Sequence, residues 1–319
     1  MDALTVGVVQ ATPVFFDLSA TLDRVEDWLQ QAQSAGCQLV LFPESFIPGY
    51  PRGFTFGSTI GRRSDEGREL YQKYWDNSIS VPGEACDRLA AMAKEYNVYL
   101  TIGVTERDSI NGTLYCSLLY YSPKVGLLGK HRKLKPTGVE RLVWGEGNAD
   151  TLISIETEIG RIGGLICWEN YMPLARMTMY EAGVQIYLAP TADARKSWTT
   201  TMQHIALEGR CFVLGCNQFF RKQDYPEAYR AYVETEPDDF CRGGSLIIGP
   251  DGKLIEGPLH DQQGLLVAQI NLAETVRHKL DFDVTGHYAR PDVFHFTVTP
   301  PPPVIKESNL LNSDFSTKN

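Results

Sequence analysis

The sequence predicts an α/β protein of two stacked sheets covered by helices. Two observations carry this. Apolar runs of strand length alternate with amphipathic stretches of helical period, and strand–helix–strand units occur in both halves of the chain. Crossovers of that length imply parallel pairing, and such sheets place their sites at the carboxyl ends of strands. Size agrees: 319 residues, 43% apolar and 22% charged, supply a sizeable core and suit one domain as readily as two.

Taken in order, Leu4 to Val9 is the first strand. Ser19 or Thr21 then caps a helix with Leu22, Val25, Leu29 and Ala32 at helical spacing, closed by Gly36. Gln38 to Phe42 is a buried strand running into Pro43-Glu44-Ser45, which puts Glu44 at a strand's carboxyl end. Residues 46–61, rich in Gly, Pro and aromatics, form an irregular segment suited to walling a pocket, and 62–75 is a charged helix. A helix from Glu84 to Tyr96 precedes a strand from Val98 to Thr105, and Leu114 to Tyr121 with Val125 to Gly129 form a hairpin.

The second half repeats the rhythm. Strands run from Leu152 to Glu156 and from Arg161 to Ile166, and a helix from Tyr171 to Gly183 carries Leu174, Met177 and Ala182 on its packing face. Strand Val184 to Leu188, helix Ser197 to Gly209 and strand Cys211 to Cys216 follow. Residues 221–239 are a polar, proline-broken excursion, after which Ser245 to Gly249 and Lys253 to Glu256 make a hairpin and Leu265 to Ile270 a further strand. A single domain is expected over residues 1–299. Residues 300–319 open with four prolines, turn polar, and read as an arm or a disordered tail.

Composition narrows the function. A net charge of −9 and a pI near 5.2 argue against nucleic acid or an anionic membrane as partner. No window approaches the roughly 20 apolar residues of a membrane span, and the N-terminus lacks the pattern of a secretion signal. Seven cysteines, odd in number and without a CxxC pair, read as reduced thiols of a cytoplasmic protein. The six histidines show no HExxH or short ligand pair, and neither GxGxxG nor GxxxxGK[ST] nor GxSxG occurs in the required context.

What remains is a thiol. Cys167 sits where the run Gly163 to Ile166 gives way to helical period, a strand-to-helix turn; its plainer reading is a small buried hydrophobe. A thiol nucleophile needs a base and a positive or hydrogen-bonding group where charge develops. Glu44 and Lys133 both follow apolar strands and supply those types, although the stretch His131 to Lys135 also reads as a solvated basic face. His204 is the other base in view, and its simpler reading is a residue on a helix face.

Phe42-Pro43-Glu44, Arg132-Lys133-Leu134 with Pro136-Thr137 and Glu140-Arg141, and Leu165-Ile166-Cys167-Trp168-Glu169-Asn170 resemble the Glu, Lys and Cys motifs of the nitrilase branch of the carbon–nitrogen hydrolase superfamily. The resemblance runs from the first strand to about Phe296 and takes in Val143-Trp144-Gly145-Glu146-Gly147 and Ala189-Pro190-Thr191-Ala192-Asp193. It implies a four-layer α-β-β-α sandwich and a nitrilase that converts an organic nitrile to its acid and ammonia through a cysteine thioimidate and thioester. It assigns Cys167 as nucleophile, Glu44 as general base, Lys133 as the stabiliser of developing negative charge, aided by the Trp168 N–H, and Glu140 as the support of Lys133. Tyr50, Trp144, Trp168 and Thr191 are expected to line the substrate pocket. No metal or organic cofactor is implied, and the expected partner besides the small nitrile is a second copy of the chain, as a homodimer or a larger spiral or filament. The competing readings are an amidase or carbamoylase of the same superfamily, which Trp168 disfavours, and a non-catalytic assembly or binding protein that kept the fold.

Overall fold

Strands buried on both faces alternate between two cores, and here the alternation can be followed residue by residue. The computed structural model describes residues 3–238 and 241–313. The first half supplies β1 (Leu4–Gln10), α1 (Leu18–Ser34), β2 (Leu39–Leu41), α2 (Asp65–Asn77), β3 (Ile79–Ser80), α3 (Glu84–Glu95), β4 (Tyr99–Arg107), β5 (Leu114–Ser122) and β6 (Gly126–Arg132). The second supplies β7 (Ser154–Thr157), β8 (Gly160–Gly164), α4 (Pro173–Glu181), β9 (Ile186–Thr191), α5 (Lys196–Gly209), β10 (Phe212–Asn217), β11 (Phe219–Phe220), β12 (Cys241–Ile248), β13 (Leu254–His260), β14 (Gly264–Ile270), α6 (Ala273–His278), β15 (Val304–Lys306) and α7 (Glu307–Ser313).

The strands form two mixed sheets. One has the order β14-β1-β2-β4-β5-β6 with β3 beside β4, the other β11-β12-β10-β9-β8-β7-β15 with β13 beside β12. Val8, Leu41, Leu118 and Tyr120 of the first sheet meet Ile186, Leu188 and Leu214 of the second in a core between the sheets. Their neighbours Val9, Val40, Leu119 and Tyr121 face outward under α1 and α3, against Leu22, Leu29, Leu89 and Met92. On the far side Tyr187, Ala189 and Val213 lie under α4 and α5, against Met179, Trp198, Met202 and Ile205. Three apolar interfaces between four layers make the α-β-β-α sandwich. The parallel pairs β1·β2, β2·β4, β8·β9 and β9·β10 point their carboxyl ends toward one rim. The first sheet is completed across the chain by antiparallel pairing of β1 with β14, Leu4 opposite Ile270 and Gln10 opposite Gly264.

Local chemistry differs from the sequence expectation at three places. The cap of α1 is neither Ser19 nor Thr21: Asp17 Oδ1 accepts from the Ala20 N–H at 2.9 Å, while Thr21 Oγ1 bonds the Val14 carbonyl at 2.9 Å. The helix after Cys167 does not run unbroken from Tyr171. A 3-10 turn occupies Cys167–Tyr171 and α4 starts afresh at Pro173, which turns Ala175 and Met179 inward and leaves Leu174 69% exposed. At the C-terminus, Val304–Lys306 pairs in parallel with β7, and the α7 residue Glu307 is buried, with both Tyr99 (2.7 Å) and Ser122 donating to its carboxylate. The stretch expected to be an arm or tail is thus docked as far as Ser313, and the remainder lies outside the described residues. Among the described residues no helix is long and apolar enough to cross a membrane.

Candidate active site

Three loops at the common rim each present one chemically active side chain. Glu44 follows β2 by way of Pro43, and this bend is pressed so closely on β4 that a Cβ at Gly103 would stand 2.2 Å from the Pro43 carbonyl oxygen and 2.6 Å from Glu44 Cα. Gln218 donates from Nε2 to the Glu44 carbonyl and holds the bend from the second sheet. Lys133 is the first residue beyond β6, and its N–H donates to Cys116 O at 2.8 Å. Cys167 opens the 3-10 turn after β8, where Gly164 lies against Leu188 with room for no side chain. The Cys167 backbone is left-handed, φ 52°, a conformation that costs a non-glycine residue roughly 1–3 kcal/mol and is kept where surroundings over-determine it.

Those surroundings are polar and buried. Glu169 Oε2 accepts from the Ile166 N–H at 2.6 Å and Oε1 from the Leu134 N–H at 2.7 Å, so one carboxylate ties the Cys167 turn to the Lys133 segment. His131 Nε2 reaches the same carboxylate at 3.0 Å. Asn170 Nδ2 donates to the Leu165 and Cys167 carbonyls at 2.9 and 2.8 Å. Thr191 Oγ1, at the end of β9, donates to the Cys167 thiol at 3.1 Å.

The Lys133 ammonium is fully buried and donates to Glu44 Oε1 and Glu140 Oε2, each at 2.7 Å. Glu140 is fixed in turn by the Tyr50 hydroxyl (2.6 Å) and the Thr137 N–H (2.6 Å). Burial raises the Glu44 carboxyl above its ordinary 4.5; the neighbouring Lys133 opposes the rise and Glu140 adds to it. Burial also works against the Lys133 charge, but Glu44, Cys167 and Glu140 outweigh it and hold the ammonium well above its ordinary value. The Cys167 thiol is driven far up by burial and by Glu44, with Lys133 opposing. It therefore rests as a thiol, and its attack on an electrophile requires a base at hand. Glu44 Oε2 is buried without a hydrogen-bond partner among the described residues, which leaves that oxygen available for the task.

A cavity of about 460 Å³ opens onto this cluster, within the roughly 300–1,000 Å³ of small-molecule sites. Tyr50, Glu140, Cys167 and Trp168 are among its walls. Trp168 is 41% exposed, donates from Nε1 to Asp193 Oδ2 at 2.9 Å, and lies under the Arg195 guanidinium. Of the remaining residues expected to line the pocket, Trp144 is buried edge-on against Tyr50 and beneath Lys133, and Thr191 touches the thiol. Glu44, Lys133, Cys167 and Glu140 are brought together from three connections, Lys133 and Glu140 sharing the one between β6 and β7; His204 stands elsewhere, exposed on α5 and facing Glu208. Sequence reasoning passed over Arg52 and the Asp193–Arg195 pair, both on the cavity wall; Tyr50-Pro51-Arg52 at the head of the aromatic loop was the available signal.

The same fold is found in Nit3 of Saccharomyces cerevisiae, a member of branch 10 of the nitrilase superfamily (TM-score 0.72, 18% identity, 90% of this chain and 97% of that one). Two stacked sheets covered by helices, with a buried thiol, amine and carboxylates at one rim, thus define a protein of nitrilase-like architecture. The sequence pattern of the family described as Carbon-nitrogen hydrolase matches residues 5–279, and the chain belongs to that family. Its relatives include the bifunctional nitrilase/nitrile hydratase NIT4B of Nicotiana tabacum, 51% identical over 296 residues (91% of this chain, 84% of that protein), and the aliphatic nitrilase of Sinorhizobium fredii strain HH103, 48% identical over 303 residues (95% and 97%).

Proposed function

We propose that this protein is a nitrilase, that Cys167 is its nucleophile, and that Glu44, Lys133 and Glu140 form its proton-handling cluster. The observation that carries the reading is the single buried ammonium of Lys133 bridging two carboxylates beside a buried thiol. The names of relatives at about half identity over nine-tenths of the chain support the choice of nitriles over amides.

Cys167 Sγ attacks the nitrile carbon while its proton passes through Glu44 to the nitrile nitrogen, giving a thioimidate. Glu44 then takes a proton from water as the oxygen adds to the thioimidate carbon, and Lys133, with the Trp168 N–H, faces the charge that develops. Cleavage of the carbon–nitrogen bond releases ammonia and leaves a thioester, and a second water hydrolyses it to the carboxylic acid and restores the thiol. One nitrile and two waters give one acid and one ammonia. If the tetrahedral intermediate expels sulfur in place of ammonia, the product is the amide; Glu140, which shares the ammonium with Glu44, is placed to bias that choice. The test is incubation with aromatic, arylacetonitrile and aliphatic nitriles, following ammonia, acid and amide. Acid from amides with none from any nitrile moves the assignment to an amidase.

A base that must be ionised to accept the thiol proton sets the acid limb of the pH profile. Because Glu44 is raised above 4.5, kcat/KM for a nitrile is expected to fall, as pH is lowered, about a midpoint above 4.5. A midpoint at or below the ordinary carboxylate value sinks Glu44 as that base.

The seven cysteines are unpaired and buried, which supports a reducing, cytoplasmic setting. Exposed Trp168, Tyr171, Met172 and Leu174, close together around the start of α4, supply an apolar face that suits assembly with further copies of the chain.

A further inference from the structure

Four cations line the cavity or the cluster beneath it, and three have carboxylate partners. Lys133 is held by Glu44 and Glu140, Arg195 by Asp193 (Nε to Oδ1, 2.8 Å) and Arg242 by Asp261 (Nε to Oδ1, 2.7 Å). Arg52 has no carboxylate partner among the described residues. Its Nη2 donates to the carbonyl of Ala192, and its guanidinium lies 5.5 Å from the Tyr50 ring centroid. Its Nε is buried and lacks an acceptor among the described residues. A neutral carbonyl and an aromatic ring offset only part of the cost of removing a cation from water.

The placement is informative. Arg52 is two residues beyond Tyr50, whose hydroxyl reaches Glu140, and its Ala192 partner adjoins Thr191, which touches the Cys167 thiol. The guanidinium therefore faces the same space as the nucleophile, on the wall rather than in the proton-handling cluster. Its planar fork matches a carboxylate, the group whose charge it lacks.

Resting on the nitrile-hydrolysis reading, we propose that Arg52 is a specificity-determining residue and that the preferred substrates are nitriles carrying a carboxylate at the end away from the reacting carbon. The nitrile enters toward Cys167 and Lys133, and the carboxylate is held at Arg52. Charge-assisted hydrogen bonds of this kind are expected to favour the anion over a neutral isostere about ten- to hundred-fold.

The test compares hydrolysis of the mononitrile of succinic acid with that of its isosteric amide by wild type, Arg52→Gln and Arg52→Lys. The wild-type kcat/KM is expected to favour the anion at least about tenfold. Arg52→Gln collapses the ratio through KM, and Arg52→Lys, which keeps charge without the fork, falls between. A wild-type ratio at or below one, or an equal loss on both substrates in Arg52→Gln, overturns the inference. Should the variants not fold, competitive inhibition of the wild type gives the answer: succinate must bind more tightly than succinamide, and the reverse order overturns the inference. Hydrolysis of neutral nitriles without preference for the anion removes this inference and leaves the nitrilase reading standing; no turnover of any nitrile removes both.

Discussion

Cys167→Ala is expected to lower kcat for nitrile hydrolysis by ~10⁴-fold or more while leaving the far-ultraviolet circular dichroism unchanged. Loss of a covalent nucleophile removes the reaction path itself, and other groups of the cluster cannot substitute for it. The fold survives because the side chain is small and alanine tolerates the left-handed backbone about as well as cysteine does; the Asn170 and Glu169 hydrogen bonds that shape the turn involve only backbone groups of residues 165 to 167. The Cys116 thiol, 3.6 Å from Glu44 Oε1, provides an internal control. Modification of the wild type by iodoacetamide in competition with substrate, followed by peptide mapping, is expected to label Cys167, which lines the cavity. Retention of full turnover by Cys167→Ala sinks the mechanism.

Lys133→Met is expected to abolish turnover and also to destabilise the fold, by about 3–5 kcal/mol, because it leaves the buried Glu44 and the partly buried Glu140 carboxylates without their shared cation. Glu44→Gln also abolishes turnover but is milder for stability, since Lys133 keeps Glu140. The double variant is expected to be more stable than the sum of the single losses allows, with a coupling of about 1–3 kcal/mol in urea unfolding. Strict additivity would mean that the ammonium is not held by Glu44. The pH dependence has a definite sign. Glu44 is already raised in the folded state and rises further without Lys133, so the folded variant binds its proton more tightly than the unfolded chain does. Its contribution is present below the unfolded pKa and is lost as pH rises through the folded value, so Lys133→Met is expected to be least stable on the alkaline side of that window.

Much of this was legible because burial on two faces leaves a strong mark. Leu39-Val40-Leu41 and Ile186-Tyr187-Leu188 are unbroken apolar runs, and in the structure their residues alternate between the inter-sheet core and the helix layers. Glu44 and Cys167 could be singled out because each follows such a run, whereas Lys133 follows the polar end of β6, Lys130-His131-Arg132, and stood out through the motif it shares with Pro136-Thr137 and Glu140; what periodicity could not supply was their convergence, which depends on how the two sheets stack. Of the three α4 residues expected to pack, Met177 and Ala182 do lie against the core under the second sheet, and only Leu174, in the first turn beside Pro173, faces outward. The strand Val304–Lys306 is only three residues long and lies behind a proline run, so neither alternation nor length betrayed it. Arg52, Asp193 and Arg195 were missed for another reason: they belong to loops, where position is set by tertiary contacts with Tyr50, Trp168 and Ala192 and leaves no period to read.

The pairing of β1 with β14 bears on how the protein is made. β1 has β14, residues 264–270, as one of its two neighbours, so that flank stays open until the ribosome has passed Ile270. At roughly 5–20 residues per second this leaves an apolar edge unpaired for on the order of tens of seconds. Nascent chains stalled before Gly264 are therefore expected to be held by chaperones or to aggregate, and those extended past Ile270 to resist protease, so that this sheet closes only after most of its other strands have been made.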